Sequence, residues 1–174
     1  MPEERKPCFN SLNFLRVSKR TFDLAGLKDL DDNEIVLKDS SGKVTMLHFW
    51  STWCGGCMAE LDELLEFVDA NKDILNFIPI SHDRSLEDLT SFLQKKSLTA
   101  KHEWCLDTTA ELYWQRFSGV FIPASCFLDK EGKLALFNQD GVYIPLLIGI
   151  QPWKDSFYTN LVRDIYRGNG IWMK

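Results

Sequence analysis

The 174-residue sequence contains no apolar run that is long enough to cross a lipid bilayer. Its longest apolar stretch, residues 142–150, is interrupted by Pro145 and falls far short of the ~20 residues that a membrane-spanning helix needs. Residues 1–7 are charged and lack the apolar core of a secretory signal peptide. Two interpretations stay open at this point: the protein is cytoplasmic, or a targeting segment has been removed.

A concentrated basic surface is also missing from the sequence. The formal net charge is −5, and the 20 Lys and Arg residues dominate no segment. Binding to nucleic-acid phosphates needs such a surface, so the sequence argues against nucleic acid as the main partner. With 45% hydrophobic and 26% charged residues the composition is that of an ordinary globular protein, and the length suits one domain with a core of its own.

The five cysteines include one closely spaced pair, Cys54 and Cys57, and no second pair that would complete a metal site. A structural zinc ion needs four ligands, but the chain has no other CxxC, CxxH or HxxxH spacing, and its three histidines, His48, His82 and His102, are isolated. The chain is also too long to be a small domain stapled by disulfides. The spacing therefore favours redox chemistry at the pair, with no metal.

The predicted secondary structure around the pair supports this chemistry. A β-prone run at residues 44–50 predicts a strand buried on both faces, and apolar residues at helical spacing over 58–68 predict an amphipathic helix after it. Cys54 thus lies at the start of a helix, where unpaired backbone N–H groups stabilise a thiolate. Cys57, one turn deeper, lies within reach to resolve a mixed disulfide.

The rest of the chain alternates strands and helices. Further strands are predicted at 77–81, 104–106, 124–128 and 133–138, and helices after the cap Ser85, at 109–117 and from 157 to near Gly168. This alternation, closed by a hairpin and a helix, predicts an α/β fold in which helices flank both faces of a central mixed sheet. No linker divides the chain, so we expect an N-terminal arm over residues 1–20 and one domain over 21–174.

The segment from Phe49 to Cys57, which reads Phe-Trp-Ser-Thr-Trp-Cys-Gly-Gly-Cys, resembles the active-site segment of thioredoxins. Its continuation to Glu60 and the later blocks resemble the branch of that superfamily that contains TlpA, ResA and CcmG, over roughly residues 21–167. The resemblance implies a thioredoxin fold with an N-terminal β extension and a TlpA-type β/α insertion over 77–106. Members of this branch are bacterial extracytoplasmic, usually membrane-tethered thiol–disulfide oxidoreductases, which often reduce disulfides in apocytochrome c or in copper-delivery proteins.

The same resemblance implies where a substrate would bind. Ile122 and Pro123 begin a segment that is similar to the family's cis-proline loop, strand and Asp-x-x-Gly turn. By that resemblance Pro123 is cis and faces the cysteines, and Ile122 offers backbone groups to an extended substrate. Trp53 is expected beside Cys54 on the contact surface, with a buried core aromatic as the alternative.

Three features near the cysteines need a separate interpretation. Gly55 and Gly56 stand between the cysteines, whereas the family commonly has a proline before the second cysteine. The sequence therefore does not determine the redox potential of the pair. His48 stands where thioredoxins carry a buried Asp and this branch often an Asn; it is predicted either to move a proton or support the thiolate, or to be a hydrogen-bonded core histidine. Glu60 is assigned to the polar side of its helix together with other acids, but it also matches a glutamate of the branch. A partly buried carboxylate there could accept the proton of Cys57, with a solvent-facing helix residue as the alternative.

The sequence therefore predicts a thiol–disulfide oxidoreductase for protein substrates, by resemblance a reductase of the TlpA/ResA type. A disulfide oxidase or isomerase of secreted proteins, a thioredoxin-fold binding module and a peroxidase are the alternatives. A peroxidase would need a threonine where this chain has Ser51, and a nearby arginine, which the segment lacks. The redox group is the disulfide between Cys54 and Cys57 itself, so no other cofactor is expected.

The expected partners and location follow from the resemblance. They are a protein thiol or disulfide as substrate, a membrane electron donor of the DsbD or CcdA type, and a periplasmic or otherwise extracytoplasmic location, with the cytoplasm left open. The chain is expected to be monomeric. Cys105 and Cys126 lie in apolar predicted strands and are expected to be inert buried thiols, whereas Cys8 has no predicted role.

Overall fold

The computed structural model describes residues 15–37, 42–119, 121–139, 142–168 and 171–172. The strands are β1 Leu15–Thr21, β2 Lys28–Asp29, β3 Val44–Trp50, β4 Leu75–Ser81, β5 Cys105–Leu106, β6 Ala124–Leu128, β7 Lys133–Gln139, β8 Val142–Ile144, β9 Leu147–Ile148 and β10 Ile171–Trp172. The helices are α1 Gly55–Ala70, α2 Leu86–Lys95, α3 Glu111–Phe117 and α4 Ser156–Arg167. None of the described helices is long and apolar enough to span a membrane.

The strand β3 lies in the middle of the sheet, and all seven of its residues are buried, as its continuous apolar run predicts. It pairs in parallel with β4 and antiparallel with β6. In the described part of the chain the strand order is β10-β1-β7-β6-β3-β4-β5-β2, with β8 added to β7 and β9 added to β6. The sheet is therefore mixed, and its central strand leads directly into the cysteine segment.

Helices cover both faces of this sheet. Successive residues of β3 point to opposite faces, so the strand contributes side chains to the core on each side. Val44 and Met46 share a core cluster with residues of α1 and α4, whereas Leu47 and Phe49 share one with Tyr113 of α3. A third cluster, around Trp50, joins the first turns of α1 to α2. This cluster contains both cysteines, so the redox pair is supported by core packing.

Two predicted helix ends are confirmed by their caps. The Ser85 hydroxyl accepts a hydrogen bond from the Asp88 N–H at 3.1 Å and donates one to the Asp88 carboxylate at 2.8 Å. At the other end of the chain, Gly168 follows α4 in the left-handed region with φ of 71°, which glycine adopts without a steric cost.

The N-terminal and C-terminal parts of the sheet differ from the sequence-based expectation. Residues 15–20, assigned above to an arm, form most of β1, which pairs antiparallel with β7 and in parallel with β10. Alternating apolar and polar residues at the start of this short segment suit a strand, but the pattern is too brief to stand out in the sequence. The strands β8 and β9, within an apolar stretch to which the sequence assigned no element, are a further addition.

Candidate active site

Cys54 and Cys57 form a disulfide at the N-terminus of α1, with their Cα atoms 5.2 Å apart. Cys54 is the N-cap of the helix, and its sulfur accepts a hydrogen bond from the Cys57 N–H at 3.2 Å. The unpaired N–H groups and the positive end of the helix dipole at this position stabilise a sulfur anion once the disulfide is reduced. Cys54 is 8% exposed and Cys57 2%, so Cys54 is the outer sulfur.

The loop that precedes the disulfide is fixed by a buried carboxylate on the neighbouring strand end. Asp83 accepts hydrogen bonds from the Thr52 hydroxyl at 2.6 Å, from the Thr52 N–H at 3.2 Å and from the Ser81 hydroxyl at 2.5 Å. Trp53, the next residue in the loop, is 65% exposed, so the alternative of a core aromatic is wrong. Sequence reasoning missed Asp83, because nothing local marks an aspartate after a strand as buried.

The loop around Pro123 lies against the disulfide. The Ile122–Pro123 peptide bond is cis, and the Ile122 carbonyl oxygen lies 3.8 Å from the Cys54 sulfur. The Gly149 N–H donates a hydrogen bond to the Pro123 carbonyl at 2.8 Å, which holds the segment after β9 beside the same loop. The structure thus brings together, at one place, residues that lie far apart in the sequence.

The two glycines between the cysteines have different surroundings. A Cβ atom on Gly56 would lie 3.3 Å from the Pro123 ring and 3.3 Å from the Ile150 side chain, closer than ordinary van der Waals contact. A Cβ atom on Gly55 would meet nothing within 4 Å. The close approach of the cis-proline loop to α1 therefore explains why Gly56 carries no side chain, and it gives no such reason for Gly55.

Glu60 is 1% exposed, so its assignment to the polar side of the helix is wrong. Three residues after Cys57, it shares the buried side of α1 with that cysteine. One carboxylate oxygen, Oε2, accepts hydrogen bonds from the Gln151 N–H at 2.8 Å and from the Trp153 indole N–H at 3.1 Å. These two donors hold the Glu60 carboxyl group in place inside the domain.

His48 lies on β3 beneath α1 and is buried. Its Nδ1 atom is 2.8 Å from the Ser125 hydroxyl, and its Nε2 atom is 3.6 Å from Oε1 of Glu60. Burial lowers the pKa of His48 to about 3, so the ring is neutral at pH 7 and the contact with Glu60 is not an ion pair. His48 is a hydrogen-bonded core histidine, and any action on the cysteines is that of a neutral group.

A row of buried polar groups thus runs behind the disulfide. It begins at Ser125, passes through His48 and Glu60, and continues to Gln151, whose side-chain oxygen accepts a hydrogen bond from the Tyr158 hydroxyl at 2.6 Å. Of these five residues, the sequence drew attention only to His48 and Glu60. The others come from β6, from the segment before α4 and from α4 itself, and no local motif marks them.

The remaining cysteines lie elsewhere. Cys105 and Cys126 are free thiols, and burial raises the pKa of each well above its ordinary value. Both therefore remain thiols at neutral pH, as expected of inert core cysteines. Cys8 lies outside the described residues. Among the residues that the structure describes, no group of three or more His, Cys, Asp and Glu side chains could hold a metal ion.

Comparisons with known proteins agree with this geometry. A model of the AhpC/TSA family matches residues 19–137. ResA, a thiol-disulfide oxidoreductase of Bacillus thuringiensis subsp. konkukian, is 29% identical over 107 residues, which are 61% of this chain and 60% of ResA. YkuV, a thiol-disulfide oxidoreductase of Bacillus subtilis, is 29% identical over 133 residues, 72% of this chain and 86% of YkuV. The chain thus spans about 60% of the length of curated relatives such as ResA.

Solved structures show the same fold. StoA from Bacillus subtilis superposes with a TM-score of 0.54 at 23% identity, over 74% of this chain and 89% of StoA. The thioredoxin domain of a thiol-disulfide oxidoreductase from Bacteroides vulgatus superposes with a TM-score of 0.60 at 22% identity, over 83% of this chain and 99% of that domain. The predicted thioredoxin fold is therefore confirmed.

Proposed function

This chain belongs to the AhpC/TSA family, and from that premise we propose that it is an enzyme that exchanges its Cys54–Cys57 pair with the disulfides or thiols of protein substrates. One observation carries the proposal: the disulfide lies at a helix N-terminus, with its outer sulfur 3.8 Å from the Ile122 carbonyl in the cis-proline loop. The relatives named as thiol-disulfide oxidoreductases support the same activity.

The reaction needs only the two cysteines and a reductant. In the dithiol form, the Cys54 thiolate attacks a substrate disulfide; a mixed disulfide forms and one substrate sulfur leaves as a thiolate. The Cys57 thiolate then attacks the Cys54 sulfur, which releases the second substrate thiolate and forms the Cys54–Cys57 disulfide. Two electrons have passed from the enzyme to the substrate, and an external dithiol of low potential must return them.

Glu60 is the group that we assign to the proton of Cys57. Cys57 must lose a proton before it attacks, and because it is only 2% exposed, a buried side chain is better placed than bulk water to accept that proton. Glu60 lies one helical turn away on the same buried side, with Oε2 held by two N–H donors and Oε1 facing Nε2 of His48. We propose that Glu60 accepts the proton through Oε1, which lies 3.6 Å from Nε2 of the neutral His48.

The substrate is proposed to bind across the exposed apolar rim around the disulfide. Trp53, Phe121 and Ile148 are exposed although they are large and apolar. Each is next in the chain to a residue of the site: to Cys54, to Ile122 of the cis-proline loop, and to Gly149, whose N–H binds the Pro123 carbonyl. The backbone of Ile122, next to Pro123, would pair with an extended segment of the substrate. Such a rim suits a polypeptide better than a small polar thiol, because burial of apolar surface drives association.

The resemblance to the TlpA/ResA branch supports a narrower proposal. We propose a reductase of the TlpA/ResA type that works outside the cytoplasm as a monomer and receives electrons from a membrane carrier of the DsbD or CcdA type. ResA is a thiol-disulfide oxidoreductase, which supports exchange chemistry in this chain, and residues 19–137, which the family model matches, contain both cysteines. A disulfide oxidase of the same fold would use the same residues with a higher redox potential.

The redox potential of the pair tests this proposal. The protein is equilibrated in dithiothreitol or glutathione buffers, and the disulfide fraction is read from alkylation and from tryptophan fluorescence, since Trp50 and Trp53 lie beside the pair. A value near about −270 mV supports a reductase, and one near about −120 mV indicates an oxidase instead. The variant Cys57→Ser is the control, because it cannot form the intramolecular disulfide.

Turnover completes the test. We expect the wild-type protein to reduce insulin with dithiothreitol as electron donor, and Cys54→Ser to lose that activity. A wild-type protein that never forms the disulfide contradicts the proposal, whereas one that binds proteins without turnover would be a binding module.

A further inference from the structure

Tyr113 fixes the loop that precedes Pro123 through a hydrogen bond from the protein interior. This residue lies on α3 and is buried, and its hydroxyl donates a hydrogen bond to the Phe121 carbonyl oxygen at 2.5 Å. The Phe121 side chain is 70% exposed, so the loop has its apolar side chain toward solvent and its carbonyl toward the core. The bond therefore joins the surface rim to a fixed group inside the domain.

The ring of Tyr113 is itself immobilised. It stacks on Phe49 of β3 with ring centroids 4.4 Å apart, and it lies 5.5 Å from the ring of His82. The chain then bends closely around this ring at Gly119, where a Cβ atom would lie 2.2 Å from the tyrosine Cζ atom. Only glycine allows that approach, so the start of the loop is shaped around the tyrosine.

The orientation of one peptide group connects Tyr113 with the substrate. Among the described residues the Ile122–Pro123 bond is the cis bond, so the preceding Phe121–Ile122 bond is trans. In a trans peptide the C=O and the N–H point in opposite directions. Because the Phe121 carbonyl points inward to Tyr113, the Ile122 N–H points outward, and none of the backbone hydrogen bonds of the described residues uses it.

We propose that Tyr113 is a positioning residue for substrate binding: its hydroxyl fixes the Phe121–Ile122 peptide group so that the Ile122 N–H faces an incoming polypeptide. This inference rests on the proposed function, since it assigns a role within the same site. Ile122 also has its carbonyl 3.8 Å from the Cys54 sulfur, so a substrate backbone paired with this residue brings its own sulfur to the reactive one.

The ionisation of Tyr113 suits this role. Burial raises the pKa of the phenol to about 12, and the neighbouring Cys126 adds to that rise. The hydroxyl therefore keeps its proton at every pH at which thiol exchange is measured, and it remains a donor to the Phe121 carbonyl.

The variant Tyr113→Phe removes the hydroxyl and keeps the ring. We expect the KM for insulin to rise about three- to tenfold, the effect of one lost hydrogen bond, while kcat stays unchanged. Reduction of bis(2-hydroxyethyl) disulfide, which has no backbone to pair with Ile122, should change by less than about twofold by the same reasoning. Tyr166→Phe is the matched control, because Tyr166 lies on α4, where its ring contacts Lys130.

A second measurement does not depend on turnover. The ¹⁵N order parameters of the Phe121 and Ile122 amides should fall in Tyr113→Phe and stay unchanged in Tyr166→Phe. Parallel losses with both disulfides would indicate a general structural effect and overturn the inference, and so would an unchanged KM or unchanged order parameters. If the wild-type protein reduces neither disulfide, the proposed function fails, and the order parameters alone decide on Tyr113.

Discussion

A fall in pH from 7 to 5 should destabilise the folded protein by about 2 kcal/mol through His48 alone. Burial lowers the pKa of this histidine from 6.5 to about 3 in the folded state. The unfolded chain therefore binds a proton below pH 6.5 that the folded protein does not bind. The free energy of unfolding decreases by about 1.4 kcal/mol per pH unit below that point, and this loss levels off near the folded pKa.

The variant His48→Asn isolates this effect, because asparagine is polar and does not titrate. The free energy of unfolding is measured in urea at pH 7, 6 and 5 for both proteins, with the Cys54–Cys57 disulfide kept intact. The wild-type value minus the variant value should fall by about 2 kcal/mol between pH 7 and 5. His102→Asn is the control: its pKa is also lowered by burial, but the side chain is more accessible, so the difference should be smaller.

The opposite result has a clear meaning. If His48 were protonated and paired with Glu60 across the 3.6 Å contact, its pKa would be raised and the difference would grow as the pH falls. A difference that grows or stays constant would therefore refute the assignment of His48 as a neutral core group.

Two further comparisons test the surroundings of the disulfide. Glu60→Ala should lower the free energy of unfolding by about 3–5 kcal/mol, because the Gln151 N–H and the Trp153 indole N–H stay buried without their acceptor. Glu60→Gln should cost about 1 kcal/mol and mainly slow disulfide formation near neutral pH, a defect that shrinks as hydroxide takes over the proton at higher pH. Equal losses in urea unfolding would contradict this assignment. Gly55→Ala should stabilise the protein by about 0.5–1 kcal/mol, and Gly56→Ala should stabilise it less and lower insulin reduction, since only the latter pushes on the cis-proline loop. The same thermal unfolding and activity measurements on both variants decide this, and identical behaviour would count against the packing explanation.

The strand, the turn and the helix around the cysteines could be predicted from the sequence, because each leaves a local pattern. The continuous apolar run of β3 indicates a central strand, and the helical spacing after Cys57 indicates α1. Together these two patterns place Cys54 at a helix N-terminus. The start of α2 at Ser85 and the end of α4 at Gly168 could also be predicted, because capping residues act within one turn of the chain.

The burial of Glu60 could not be predicted in this way. Its helix neighbours Asp62, Glu63 and Glu66 are acidic, so a residue-by-residue pattern groups it with them. What buries it is the segment around Gln151, which lies 91 residues further along the chain. Contacts of this kind join residues that lie far apart in the chain. They depend on the complete fold and leave no local pattern in the sequence.

The roles of Asp83 and Tyr113 were hidden for the same reason. Each makes its decisive bond to a backbone or loop group whose position depends on the end of another strand or helix. An aspartate after a strand and a tyrosine in a short helix are common surface features. Only the folded chain shows that they hold the two loops on either side of the disulfide.

The unequal depth of the two sulfurs has a consequence for the order of events during turnover. Since Cys57 lies behind Cys54, an incoming sulfur reaches the pair from one side only. The reductant that regenerates the dithiol and the oxidised protein that consumes it must then take turns on the same patch beside Trp53. Two molecules that share one patch form no ternary complex, so the rates follow a ping-pong pattern, and an excess of either slows the cycle. The ratio of the two concentrations then sets the steady-state fraction of the protein that is in the dithiol form.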